Sequence, residues 1–425
     1  MNYLKKYLKY KEKYLNLKIT QSGQRYKASL NLDGGSAFTP GGGSARAFMD
    51  SQSSTNLFQA PPLSGINIKD YIFSLYSDPG YSGIKTEDKY LLSQFRFIND
   101  QYCDVFGIFD GHGDNGSVTS RIKKFLHSNL INMKSYINTF IGQHQGITVD
   151  ALSTYIVEDF IPILFREINE DIANIQFSGG STCSLIFIFY WFNQRILITA
   201  NIGDSPIYVF RKYSDTRRII FSSINHDANN EVERKRIIDQ AKKEYIALSS
   251  KNDFEIQQIL FKIIQKKDRS FKYRLRSAHH IKLLLESKEI GLKASGIEPT
   301  SGFGDLSYAP LIGTTPDINI IKLESEDIVE IGSDSIVETY KDGTITGDPT
   351  IREPEIISFL NKIDLYSNKN EKEKIEIDLA RHLYDDQFKM MAIKTRLLNA
   401  DTNMEIIQQL KQTADNFTLI TIKIK

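Results

Sequence analysis

The chain has 425 residues, with 53 Lys and Arg against 52 Asp and Glu, giving a formal net charge of +1. A balance this close to zero excludes bulk electrostatic capture of nucleic acid or membrane as the business of the whole chain. With 41% hydrophobic, 11% aromatic and 25% charged residues, the composition is that of an ordinary globular protein able to bury a sizeable core.

Residues 1–65 differ from the rest. They open with a Lys/Tyr/Leu segment, MNYLKKYLKYKEKYLNLK, and continue through Gly/Ser-rich stretches such as GGGSARAF. Nine basic and three acidic residues give this part +6, so the remaining 360 residues sum to −5. The composition reads as a basic leader and flexible linker, with a domain from residue 66 to 425. The leader has no apolar h-region, so no secretory signal is expected. The longest apolar run, CSLIFIFYWF, is well short of the ~20 residues that span a bilayer and reads as a central strand. A soluble, intracellular, cytoplasmic monomer with no transmembrane segment is expected. Cys103 and Cys183 cannot build a disulfide framework and read as buried, reduced thiols.

In chain order, Asp104 to Phe109 predicts a strand that stops abruptly at Asp110-Gly111-His112-Gly113. Val118, Ile122, Phe125, Leu126 and Leu130 recur at helical spacing behind Asn115 and Ser117 as caps. Leu152, Ile156, Phe160, Ile163, Leu164, Ile168 and Ile172 predict a second helix, broken at Gly179-Gly180. Cys183 to Phe192 and Arg195 to Ala200 follow as paired strands, with a turn at Asn201 to Ser205 leading into Ile207 to Phe210. Residues 229–300 read as an inserted, charged helical block containing the basic stretch KIIQKKDRSFKYRLR, Lys262 to Arg276. That stretch is read as a solvated face, because only two aromatics interleave its charges, and no nucleic acid is expected as a partner. Strands return at Ile318 to Leu323, Asp327 to Ile331 and Phe417 to Ile424. Grouped helices and hairpin strands indicate an α+β fold.

Several acids sit where a rigid backbone ends and a side chain can face a cleft: Glu87-Asp88 in a polar turn, Asp110 and Asp334 after strands, and Asp415 before the last one. Singly, each is a common turn residue. Together they would form an oxygen-only ligand set suited to a hard cation such as Mg²⁺ or Mn²⁺, and no Cys/His cluster points to zinc.

The runs VFGIFDGHG (Val105 to Gly113), SGGSTC (Ser178 to Cys183), TANIGDS (Thr199 to Ser205), INHDANNEVERKRI (Ile224 to Ile237), GFGD (Gly302 to Asp305), SEDIVEIGSDSIVE (Ser325 to Glu338) and ADNFTLITI (Ala414 to Ile422) follow one another in a telling order. In that order they resemble metal-dependent serine/threonine phosphatases of the protein phosphatase 2C type. The resemblance covers residue 66 to the C-terminus and implies a four-layer αββα sandwich, two central antiparallel sheets flanked by helices. It also implies removal of phosphate from phosphoserine and phosphothreonine in protein substrates, by a water bridging two Mn²⁺ or Mg²⁺ ions. Carried over position by position, the resemblance implies that Asp110 would bridge both ions, that Asp334 and Asp415 would complete one site, and that Glu87 with the Gly111 carbonyl would serve the other. It implies that Asp88 would hold water beside them. It also implies that His112 would protonate the leaving alkoxide and that Asp204 and Glu338 would mark a third, weaker cation position.

Three departures stand out. Gly83 replaces the family's usual phosphate-gripping arginine, with Lys85 as the nearest cation and no bidentate fork. Ser335 replaces a glycine, which implies a backbone adjustment, and Pro206 replaces an arginine, read as capping an edge strand. The first two keep a second reading open, a pseudophosphatase that binds partners without turnover. The leader is also similar to leaders on proteins of large DNA viruses.

Overall fold

The computed structural model describes residues 71–78, 87–98, 101–113, 115–144, 146–175, 177–191, 193–214, 216–265, 271–286, 296–335 and 417–425. The leader, and with it every expectation for residues 1–65, lies outside them, as do Lys85, Glu338 and Asp415.

The chain begins with β1 (Tyr71–Asp78), β2 (Lys89–Arg96), β3 (Tyr102–Phe109) and the two-residue β4 (Gly111–His112). Helices α1 (Ser117–Gln143), α2 (Val149–Tyr155) and α3 (Ile161–Ile175) follow, with one π-helical turn, Ile156–Phe160, between the last two. Then come β5 (Gly180–Ser181), β6 (Cys183–Trp191), β7 (Gln194–Ile202), β8 (Ile207–Tyr213) and β9 (Thr216–Ser222). A lobe is built from α4 (Glu231–Glu244), α5 (Asp253–Leu260), β10 (Phe261–Gln265), β11 (Phe271–Arg276), α6 (Ala278–Leu285) and β12 (Gly296–Ile297). The last elements are β13 (Phe303–Gly304), β14 (Asp317–Lys322), β15 (Ile328–Gly332) and β16 (Phe417–Ile424).

Two five-stranded sheets form the centre, in the orders β1-β16-β15-β8-β9 and β14-β7-β6-β3-β2, and their strand pairs are antiparallel. All nine residues of β6 are buried, which explains why its sequence does not alternate. Ile186, Ile188 and Tyr190 face Val209, Val329, Ile331 and Ile420 of the other sheet. Leu185, Phe187, Phe189 and Trp191 face the helices, where Ile122, Leu126, Leu130 and Met133 of α1 and Leu164 and Ile168 of α3 close the outer layer. Fully burying each such side chain stabilises the fold by about 1.5–3 kcal/mol, so the strand is anchored from both faces. Cys103 and Cys183 are buried and free within this core, and burial pushes both thiols well above the usual range. The α+β sandwich is therefore present, with three of its layers among the described residues.

Three local expectations are corrected. The helix after Gly113 is capped by Gly116 with no side-chain bond, because Asn115 (φ 61°) and Gly116 (φ 76°) turn through the left-handed region. Pro206 precedes an interior strand, since β8 pairs with both β15 and β9. It sits one residue ahead of the ladder, where its missing N–H costs nothing, and its carbonyl accepts from Gly332 N at 3.1 Å. The 229–300 block is mixed, and its basic stretch is a hairpin: β10 pairs with β11, which pairs with β12. Tyr273 and Leu275 alternate with Lys272, Arg274 and Arg276, a strand period that the charges conceal. The inward residues join Ile237, Ile256, Leu260 and Phe261 in the lobe's own core.

No described helix is long and apolar enough to cross a membrane.

Candidate active site

The candidate acids gather at one end of the sandwich because antiparallel pairing puts the start of β2 and the ends of β3, β7 and β15 together. Asp110 is fixed through its backbone: its N–H donates to Thr182 Oγ1 at 3.1 Å, and its carbonyl accepts from Thr182 N at 2.9 Å. Thr182 Oγ1 also lies 2.6 Å from Ser205 Oγ, and Ser184 Oγ donates to the Ser205 carbonyl at 2.7 Å. The SGGSTC and GDS motifs thereby hold Asp110 and Asp204 in one frame. Gly203 is required there, because its φ is +95° and a Cβ would stand 2.5 Å from Thr182 Cγ2.

Across the two sheets, Asp334 N donates to Asp110 Oδ2 at 3.3 Å, and Thr418 Oγ1 donates to Asp88 Oδ2 at 3.0 Å. Ser333 clasps Thr418 from the other side, donating its N–H to the Thr418 carbonyl at 2.9 Å and accepting from Thr418 N at 3.0 Å. Ser335 has no positive φ, so its side chain stands on ordinary backbone. Burial, followed by the carboxylates of Asp88, Asp334 and Asp204, pushes the Asp110 carboxyl well above the usual carboxylate range, against the pull of the Asp334 N–H. Asp204 is pushed well up in the same way, by burial, then Asp334, Asp227 and Glu298.

Glu87 is placed differently. Its Oε1 accepts from Asn115 N at 3.2 Å, and its carbonyl accepts from Thr119 Oγ1 at 2.7 Å. It is thus packed beside Gly111, whose Cβ, if present, would lie 2.8 Å from the Glu87 carbonyl oxygen. Among the described residues no three His, Cys, Asp or Glu side chains stand close enough to form a closed ligand set. The donor set nevertheless has the chemistry of a hard-cation site: the interacting charges on Asp110 and Asp204 all come from carboxylates, and their donors are oxygens. Buried anions in such an arrangement need a cation or protons.

The residue that sequence reasoning passed over is Asp305. It is quoted in the GFGD run without a role, yet it meets His112, 193 positions away. His112 Nε2 lies 2.8 Å from Asp305 Oδ2 and 3.0 Å from Oδ1, and Asp305 is only 4% exposed. Asp305 stands in the left-handed region (φ 52°), closing on β5 where Gly180 has no side chain. A Cβ on Gly180 would fall 1.9 Å from Asp305 Oδ2. A second missed group, His226, grips the Asp204 loop: Nδ1 accepts from Gly203 N at 3.2 Å, and its own N–H donates to the Gly203 carbonyl at 3.0 Å. Nε2–H then faces Asp317 Oδ2 at 2.9 Å, a bond that holds the Asp317 carboxyl below its usual range.

Residues 96–246 match the family model described as Protein phosphatase 2C. The match covers about a third of the chain, which over that stretch is similar to protein phosphatase 2C proteins. Probable protein phosphatase 2C 7 of Oryza sativa subsp. japonica is 29% identical over 167 residues, 37% of this chain and 37% of that protein. Probable protein phosphatase 2C 11 of Arabidopsis thaliana is 27% identical over 168 residues, 38% of each. The aligned part therefore spans little more than a third of these relatives. At the level of fold, the serine-threonine phosphatase 2C structure from Toxoplasma gondii is similar with a TM-score of 0.56 and 12% identity, covering 85% of this chain and 96% of that one.

Proposed function

We propose that this chain is a phosphatase of the protein phosphatase 2C type that removes phosphate from phosphoserine and phosphothreonine in proteins, using Mn²⁺ or Mg²⁺. The observation that carries this reading is the meeting of Asp88, Asp110, Asp204 and Asp334, from four separate strand ends, in one acidic field in which Asp88 is buried and the other three are half-buried, with Asp334 N 3.3 Å from Asp110 Oδ2. Asp110 and Asp334, with Asp415 and the Glu87–Gly111 pair, would hold two cations, Asp88 would hold water beside them, and Asp204 with Glu338 would serve a third. Bound there, such cations neutralise phosphoryl oxygens and make a water nucleophilic at neutral pH.

The chain's own residues supply the remainder. Thr182 and the Asp334 N–H fix the Asp110 backbone and carboxylate, so no reorganisation is needed when substrate arrives. Asp305 holds the His112 ring through Nε2 and stabilises its protonated form. Delivery of a proton to the departing serine or threonine oxygen is then the task of Nδ1.

Purified protein with Mn²⁺ should release phosphate from a phosphoserine peptide, lose that activity in EDTA, and lose it in Asp110→Asn. Mn²⁺ should also raise the melting temperature of wild type and not of Asp110→Asn, since a ligand bound only by the folded state stabilises it. Wild type no more active than Asp110→Asn under every metal tried would overturn the reading. A retained Mn²⁺-dependent melting shift without turnover would instead mark a binding module, the reading that Gly83 favours.

A further inference from the structure

We propose that the basic face of the β10–β11 hairpin is a docking surface for an extended acidic segment of a partner protein, held by Lys262, Lys272, Arg274 and Arg276. The surface is built from residues of the lobe alone and stands whether or not the chain hydrolyses phosphate. Its charges come from the stretch KIIQKKDRSFKYRLR, Lys262 to Arg276, which the acidic site does not use.

Strand pairing concentrates the charge. Lys272, Arg274 and Arg276 take alternate positions of β11 and so share one face, and the register sets Lys262 of β10 directly opposite Arg274. Like charges facing each other across two strands are destabilising, so this arrangement costs the free chain stability. Glu298, one residue past β12, offsets part of that cost by meeting both Lys272 and Arg274, the latter at 3.3 Å. Four cations against this one carboxylate leave the face strongly positive. Among the described residues, neither Lys262 nor Arg276 has a carboxylate partner.

The two arginines carry the largest unmet cost. Arg274 Nε and Arg276 Nε are both buried with no hydrogen-bond partner, and burial lowers the Arg276 guanidinium from its ordinary value with no carboxylate to raise it. A cation held partly out of water without a counter-charge is destabilising, and an incoming carboxylate reverses that. Space is kept beside them by Gly296 of β12, which pairs with Arg276 and contributes no side chain. A Cβ there would fall 2.6 Å from the Leu275 carbonyl oxygen and 2.9 Å from Arg274 Cβ. Charge and spacing together select the occupant. Same-face side chains of a strand repeat every ~6.6–6.8 Å, which is also the spacing of carboxylates at alternate residues of an extended peptide. Glu298 shows the mode within the chain, one carboxylate shared by a lysine and an arginine. Nucleic acid fits less well, because Lys262, Ile264, Lys272, Arg274 and Arg276 include no ring on which a base could stack. Tyr273 alternates to the other face, edge-on against Phe261 and covered by the Arg234 guanidinium at 4.3 Å.

The test is fluorescence polarisation of the full chain with a labelled Ser-Glu repeat peptide. Binding should saturate and weaken as NaCl is raised, and a Ser-Gln repeat should not bind. Arg274→Gln and Arg276→Gln should each raise Kd roughly three- to thirtyfold. Lys243→Gln removes an exposed cation of α4 in the same lobe and should leave Kd unchanged. Lys262→Gln relieves the like-charge pair with Arg274, so it should weaken the peptide yet melt no lower than wild type, a combination that a structural role would not produce. Wild type that binds no acidic peptide overturns the proposal, as does Kd unchanged in both folded arginine variants. An equal loss in Lys243→Gln would mark diffuse attraction in place of a site and overturn it too. A lower melting temperature in Lys262→Gln would make the stripe structural and overturn it. Tighter binding of single-stranded oligouridylate than of the peptide at the same salt would assign the face to nucleic acid and overturn the peptide as occupant.

Discussion

Asp305→Asn isolates the positioning of His112. Asparagine keeps the size of the side chain and can still accept from Nε2–H, but it carries no charge to stabilise an imidazolium. The lost bond is charge-assisted, short at 2.8 Å, and made by an aspartate only 4% exposed. Hydrogen bonds to charged groups contribute about 1.5–3 kcal/mol. If that stabilisation is felt in the transition state, kcat should fall roughly ten- to a hundredfold. The assay compares a phosphoserine peptide, whose alkoxide needs a proton to leave, with p-nitrophenyl phosphate, whose phenolate leaves without one. The peptide rate should fall steeply and the aryl phosphate rate much less. Gly180→Ala provides an independent perturbation, because its Cβ would fall 1.9 Å from Asp305 Oδ2 and must push that carboxylate off the ring. It should reproduce the same substrate-selective defect, and the double variant should be no worse than the poorer single one. Equal losses on both substrates, or normal peptide turnover in Gly180→Ala, would refute the assignment.

Two further outcomes concern stability. Glu330 on β15 is buried with neither carboxylate oxygen hydrogen-bonded, and burial pushes its carboxyl from 4.5 up to about 8. The folded chain then holds a proton that the unfolded chain has released, so stability should fall as pH rises from 4.5 to about 8, with the full penalty of about 5 kcal/mol present above that. Glu330→Gln should remove this dependence and be clearly more stable than wild type at pH ~9 in denaturant titrations; parallel pH profiles would contradict the burial argument. His226→Ala should cost about 1–3 kcal/mol by leaving the Gly203 N–H unsatisfied, whereas His226→Asn, whose side-chain oxygen can take the place of Nδ1, should recover part of it. Equal destabilisation by the two variants would refute the clasp on the Asp204 loop.

Much of the fold was legible because hydrophobic period and punctuation are local. The strand ending at Asp110, the helix stripe from Val118 to Leu130 and the alternation of Phe417 to Ile424 are each set by neighbours in sequence. The hairpin at Phe261 to Arg276 differs from the helical expectation because its charges hide a two-residue period whose other face is buried by the lobe's own core. Pro206 was assigned to an edge because nothing local reveals that β15 will pair with β8.

The same divide runs through the site. Sequence alone determined which acids end strands, the oxygen-only character of the candidate ligand set, and the order of motifs that resembles protein phosphatase 2C. Only the tertiary structure decided that Asp305 would hold His112, that Thr182 would bind both backbone groups of Asp110, and that His226 would clasp Gly203 beside Asp204. Strand ends and turn residues are written in short-range steric preferences. These three contacts depend instead on loops separated by 23 to 193 residues being brought to one end of the sandwich, where burial turns weak surface charges into strongly coupled ones.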